Sequence, residues 1–143
     1  MIAVDTSALI AVLLREPEGP RCSSILSDNS NLFLSAATLA EALVVASGRN
    51  VGHEMSALID LFGFEIVPVT AATALRISAI YATWGRGRHP AALNFGDCFS
   101  YDTAKTYACP LLFVGGVQQD GFGKRSVEAA RRRIGSRTDE RQR

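Results

Sequence analysis

Short apolar runs alternate with amphipathic stretches along this chain. Residues 2–4 are wholly apolar and stop at Asp5, which predicts a short buried strand. Thr6 or Ser7 then caps a helix over residues 8–14, and Glu16-Pro17-Glu18-Gly19-Pro20 breaks it. Residues 21–26 form a second helix, ended by the polar run Ser27-Asp28-Asn29-Ser30-Asn31. Leu32-Phe33-Leu34 is a strand, and Ser35 caps the helix that carries Glu41 as far as Gly48-Arg49-Asn50. Met55, Leu58, Ile59 and Phe62 share one side of a helix over residues 53–62. Phe64-Glu65-Ile66-Val67-Pro68-Val69 alternates as a strand does. Thr70 caps a longer helix to about residue 83. A basic glycine loop, Gly85-Arg86-Gly87-Arg88-His89-Pro90, precedes a helix over residues 97–107. Pro110-Leu111-Leu112-Phe113-Val114 is the last strand.

Strands alternating with helices imply a parallel sheet covered on both faces, a three-layer α/β/α domain. Ligands of such sheets bind beyond the carboxyl ends of the strands. Asp5 stands at such an end.

Composition changes this picture little. The 143 residues are 48% apolar and 20% charged, which fits one ordinary globular domain. No stretch is long enough for a transmembrane helix. The start has no basic region before its apolar run, so it does not read as a signal peptide. Cys22, Cys98 and Cys109 show no paired spacing, and reduced thiols in a cytoplasm fit them best. Charge matters more. Residues 123–143 carry eight Lys/Arg against three acids, while residues 1–122 carry seven against eleven. The division expected is a folded body over 1–122 and a basic tail over 123–143. The tail is either a solvated end or an arm that attracts nucleic acid.

Three acids carry the candidate chemistry. Asp5, Glu41 and Asp97 each lie beside strongly apolar sequence, where an isolated carboxylate is costly. Together they suggest a shared cation, and oxygen-only ligands favour Mg²⁺ or Mn²⁺. Such a centre cleaves phosphodiesters without a catalytic His or Cys. The chain has only His53 and His89, neither in a ligand spacing. Each acid also has a plainer reading: Asp5 and Asp97 as helix caps, Glu41 as half of an ion pair. Thr6 and Ser7 could orient Asp5 or cap its helix. Arg86 and Arg88 could hold RNA phosphate beside the acids. Asp102 follows Asp97 by about 500° of helix and is expected to face solvent. Phe95, Phe99 and Tyr101 are expected in the core rather than as base-stacking platforms.

The start Met1-Ile2-Ala3-Val4-Asp5-Thr6-Ser7-Ala8-Leu9, Glu41 on its helix, and Asn94-Phe95-Gly96-Asp97-Cys98-Phe99-Ser100-Tyr101 together resemble the PIN-domain ribonucleases. Among these the likeness is to the VapC toxins of bacterial toxin–antitoxin modules. The resemblance implies a PIN-like fold and an Mg²⁺- or Mn²⁺-dependent endoribonuclease that forms a homodimer and is held by a VapB-type antitoxin. By position it makes Asp5, Glu41 and Asp97 the catalytic and metal-site acids and Thr6 a supporting residue. The family's fourth acid has no clean counterpart. Val117 stands in its place in Gly115-Gly116-Val117-Gln118, whereas a second register offers Asp120 one position early. Either Asp120 reaches the site, or three acids suffice, or the end is degenerate, through a shifted frame for example. The last case leaves a non-catalytic module that binds antitoxin or RNA without cutting.

Overall fold

Four strands and six helices make up residues 1–114, the part of the chain that this computed structural model describes. The expectations for Val117, Asp120 and the 123–143 tail lie outside the described residues. The strands are β1 (Ile2–Val4), β2 (Leu32–Ser35), β3 (Glu65–Val67) and β4 (Leu111–Leu112). All pair in parallel, in the order β3-β2-β1-β4. Ile2 lies opposite Leu32, Ala3 opposite Leu111, and Phe33 opposite Glu65. Central β1 and β2 are buried along their whole length, as strands covered on both faces must be. β3 is an edge strand, and Glu65 and Ile66 are exposed on it, so its sequence can alternate polar with apolar.

The helices are α1 (Thr6–Leu13), α2 (Gly19–Ser27), α3 (Ala36–Gly48), α4 (Gly52–Phe62), α5 (Ala71–Trp84) and α6 (Phe95–Thr106). Successive strand residues face opposite sides. Ile2, Val4 and Leu34 accordingly pack with Leu9, Leu26, Ala42, Ala46 and Met55 of the first four helices. Ala3 and Phe33 pack the other way, against Ala104 of α6, and Tyr107 stacks on Phe33 at 4.0 Å. Ile77 of α5 and Phe99 and Tyr101 of α6 form a third cluster, which Ala37 of α3 joins. The result is the three-layer α/β/α domain expected from the alternation.

Helix starts differ from expectation where side chains cap. α1 begins at Thr6, because the Asp5 side chain accepts the Ser7 N–H and so makes Asp5 the cap. α2 takes in Gly19 and Pro20, since proline loses nothing in a first turn whose N–H groups are unpaired anyway. α6 starts at Phe95: Asn94 is its cap, and Asp97, at the third position, completes a capping box. Gly63 ends α4 in the left-handed region at φ 63°, which favours glycine.

Two expectations for α6 are overturned. Asp102 is buried rather than solvent-facing, at 5% exposure. Residues 98–104 are buried on all sides of the helix, so turning away from Asp97 leads into α5, not into water. There Arg76 grips Asp102 with two hydrogen bonds of 2.7 and 3.0 Å. Phe99 and Tyr101 are core residues, but Phe95 is 68% exposed. It sits at the open end of α6, ahead of the buried stretch. Among the described residues no helix is long and apolar enough to cross a membrane.

Candidate active site

Asp5 follows the last residue of β1 and opens α1, so strand and helix together fix its backbone. Its Oδ2 accepts the Ser7 N–H at 3.1 Å and the Ser7 hydroxyl at 2.7 Å. Its Oδ1 accepts the Ser100 hydroxyl at 2.7 Å. Ser7 Oγ in turn accepts the Val114 N–H at 2.9 Å, which ties the end of the described chain to the same point. Thr6 touches neither acid through these bonds. Its hydroxyl donates to the Thr38 carbonyl at 3.3 Å and joins α1 to α3.

Asp97 lies in the first turn of α6, where the helix dipole favours a carboxylate. Its Oδ2 accepts the Asn94 N–H at 2.9 Å, while Asn94 Oδ1 accepts the Asp97 N–H at 2.8 Å. Ser100 Oγ stands 3.1 Å from the Asp97 carbonyl, so one serine bridges the two acids' surroundings. The Asp97 carboxyl is pushed above its ordinary value, chiefly by burial and further by repulsion from Asp5 and Glu41. The Asn94 hydrogen bond and Arg86 pull the other way.

Glu41 is exposed on α3, and its carboxylate lies against Gly96. A Cβ at residue 96 would collide with Glu41 Oε2 and stand 3.1 Å from its Cδ. The glycine between Phe95 and Asp97 therefore makes room for the third acid. Three elements thus converge on the amino end of α6.

Of the basic loop, Arg86 is the cation whose charge favours the ionised Asp97. Its N–H donates to the Leu93 carbonyl at 2.9 Å, and Gly85 and Leu93 form a parallel bridge. That pairing holds the loop alongside the start of α6. Arg88 is exposed on the same loop and is not among the charges acting on Asp97. His89 sits edge-on to Trp84, with Nδ1 accepting the Ala91 N–H, and His53 is exposed on α4. Cys98 is buried, and burial pushes its thiol up to about 11, which leaves it an inert core residue.

Sequence reasoning missed Ser100 and Thr38. Ser100 was legible in principle, being three residues after Asp97 and so nearly above it on a helix. Thr38 lies one turn before Glu41. It is 3% exposed, and its hydroxyl is the one buried side-chain polar atom among the described residues without a hydrogen-bond partner.

In kind, though not as a finished site, these donors suit a hard divalent cation. The donors are carboxylates and hydroxyls, the acids repel one another, and the Thr38 hydroxyl, one helical turn from Glu41, is buried without a partner. Among the described residues no group of three or more His, Cys, Asp or Glu is placed to hold a metal ion. Mg²⁺ does not need one, because it keeps several waters and is commonly held by one or two carboxylates.

A parallel α/β/α domain whose acids gather at the strands' carboxyl ends defines a class. Residues 2–119 match the PIN domain, and the chain belongs to that family. Its relatives within the family are VapC proteins. It is 40% identical to ribonuclease VapC30 of Mycobacterium tuberculosis over 117 residues, 80% of this chain and 89% of that protein. It is 37% identical to ribonuclease VapC28 of the same organism over 131 residues, 89% of this chain and 96% of that protein. The second match takes in more of the chain than residues 1–114. The crystal structure of M. tuberculosis VapC20, described as a sarcin-ricin loop cleaving toxin, superposes with a TM-score of 0.65 at 15% identity. It covers 81% of this chain and 91% of that one, and it shares the fold.

Proposed function

We propose that this protein is a divalent-metal-dependent endoribonuclease, the toxin of a VapBC-type module. The observation that carries the reading is the convergence of Asp5, Glu41 and Asp97 on the amino end of α6. The family and its ribonuclease relatives support it. Asp5 and Asp97 would hold the cation, with Glu41 reaching it from α3. A bound Mg²⁺ or Mn²⁺ supplies Lewis acidity and charge neutralisation at a phosphodiester.

The chain's own residues do the rest. Ser7 and Ser100 keep the Asp5 carboxylate in one orientation, and Asn94 does the same for Asp97. Arg86 offsets the repulsion between the acids and an RNA backbone. Substrate RNA, a VapB-type antitoxin, a second copy of the chain and a cytoplasmic setting complete the proposal. Exposed Val44, Leu61 and Leu75 offer apolar surface that such protein partners could cover.

EDTA should abolish RNA cleavage, and Mg²⁺ or Mn²⁺ should restore it. Full activity in EDTA rules the mechanism out. A second reading, the module that binds without cutting, rests on Val117 at the expected place of the fourth acid. Calorimetric titration separates the two: no Mg²⁺ binding together with retained antitoxin binding selects the module. If Asp120 is the fourth ligand, Asp120→Asn reduces cleavage about as much as Asp97→Asn does.

A further inference from the structure

The basic loop between α5 and α6 is closed on itself. The Leu93 N–H donates to the Trp84 carbonyl at 3.0 Å, and the Arg86 N–H donates to the Leu93 carbonyl at 2.9 Å. Inside that closure, His89 folds back on the loop. Its Nδ1 accepts the Ala91 N–H at 3.0 Å, and its carbonyl accepts the Ala92 N–H at 2.9 Å. Its ring stands edge-on to Trp84, with centroids 4.6 Å apart. Ala92 lies at φ 48°, in the left-handed region that alanine avoids. Such a backbone persists only where its surroundings hold it, and His89 accepts from Ala92 itself and from the residue before it.

An Nδ1 that accepts a hydrogen bond carries no proton. An imidazolium donates from both nitrogens, so protonation sets one N–H against the Ala91 N–H and breaks the bond. Imidazole is the side chain that gains its proton within the physiological pH range. The titratable groups at this end of α5 and α6 are Tyr81, Asp97, Cys98 and Tyr101, and the loop adds Arg86 and Arg88. The guanidiniums disfavour a further positive charge and the Asp97 carboxylate favours it, but the bond to Ala91 exists with the neutral ring alone. The loop matters to the site for two reasons. Arg86 is the cation whose charge favours the ionised Asp97, and Leu93 leads directly into Asn94, whose N–H holds the Asp97 carboxylate.

We propose that neutral His89 is a positioning residue, a latch that keeps the loop of residues 85–93 closed and through it sets the place of Arg86, and that protonation releases this latch. The inference rests on the nuclease reading above and adds to it a pH-dependent control that lies outside the acids.

The chain's one tryptophan, Trp84, reports on the latch directly, because an imidazolium quenches an indole it touches. The full chain with Mg²⁺ is taken from about pH 8 to about pH 5.5 while Trp84 emission and cleavage of a fluorogenic RNA are followed. Emission should fall in a single step. His89→Asn has a side-chain oxygen that can accept the same N–H but takes up no proton. It should restore cleavage at the upper pH, show no emission step, and lose less of its rate on the acid side than the unaltered protein does. His89→Phe keeps a ring against Trp84 without the acceptor and should cut roughly fivefold more slowly at the upper pH. In an Arg86→Gln background that extra loss should disappear. An emission trace without a step that His89→Asn removes overturns the latch. So do identical pH profiles of cleavage for the unaltered and His89→Asn proteins, and so does a His89→Asn protein as slow as His89→Phe. A further loss in the Arg86→Gln background overturns the route through Arg86. An emission step that His89→Asn abolishes, in a protein that cuts no RNA at any pH, fails the nuclease reading and not the latch.

Discussion

Gly96→Ala should stabilise the protein and disable it. The added Cβ would run into Glu41 Oε2 and stand 3.3 Å from Asn94 Oδ1. The first obstacle is the far end of an exposed, flexible side chain and can swing away. The second is the cap's own hydrogen bond and has to yield by a few tenths of an ångström. Alanine in place of a helical glycine gains up to about 1 kcal/mol. Residue 96 lies in the first turn, where the benefit is smaller, and the strained cap removes part of it. A net gain of roughly 0.5 kcal/mol follows, or about 2 °C in Tm for a domain of this size. Cleavage should fall at least tenfold, because Glu41 has been expelled from the acids. The Asp97 carboxyl should move back toward its ordinary value, since one of its two repelling neighbours has left. Thermal unfolding and a fluorogenic RNA cleavage assay read the two effects separately. Undiminished cleavage would refute the reasoning, because Glu41 would then act from some other place. Lost cleavage with a large fall in Tm would also refute it, since the damage would be to the fold.

Other perturbations divide the site from its supports. The raised Asp97 carboxyl makes the folded, metal-free protein bind more protons than the unfolded chain between about pH 4 and the raised value. Its stability should therefore fall as pH rises through the raised value, and saturating Mg²⁺ should remove that fall in parallel melts. Thr38→Val deletes a buried hydroxyl with no partner among the described residues. It should leave the metal-free protein as stable or up to about 1 kcal/mol more so, and calorimetry should show weaker Mg²⁺ binding. A destabilised metal-free variant would mean the hydroxyl is already satisfied. Ser100→Ala removes a donor from buried Asp5 and should cost about 1–2 kcal/mol in urea unfolding together with most of the cleavage rate. Arg76→Leu strands the buried Asp102 and should lower Tm without changing the metal affinity. Adding Asp102→Leu should recover part of that loss.

The strands and the layer order were legible because burial on both faces leaves a plain signature. Residues 2–4 and 32–34 can hardly be anything but central strands. The convergence of the acids was not legible. Asp5 and Glu41 are separated by two helices and a strand, and local pattern carries no information on where a crossover brings them. The resemblance proposed a shared site for them where periodicity could not. Asp102 was misread for a definite reason: a helix angle gives direction relative to Asp97 but not what waits in that direction. Only the packing of α5 shows that Arg76 does. Phe95 was misread conversely, from its residue type without regard to its place at a helix end.

Asp97 and Asp102 put two acids on one helix, and the chain treats them in opposite ways. Asp102 is neutralised by a guanidinium gripping both of its oxygens. Asp97 and Asp5 are held by an amide N–H and by hydroxyls, which orient a carboxylate without cancelling its charge. An ionised carboxylate has about four acceptor positions. Asp5 fills two on Oδ2 and one on Oδ1, so the remaining position is on the oxygen that faces Ser100 and α6. The hydrogen bond from the Asn94 N–H to Asp97 uses Oδ2 and leaves Oδ1. A purely structural acid gains most from the first treatment. Both acids cap helices, and keeping charge while fixing direction also leaves each able to receive a cation, as the proposed function requires. The number of acids is therefore the weaker criterion for this site. The stronger one is that its two best-fixed members are oriented by neutral donors, with an oxygen of each still open.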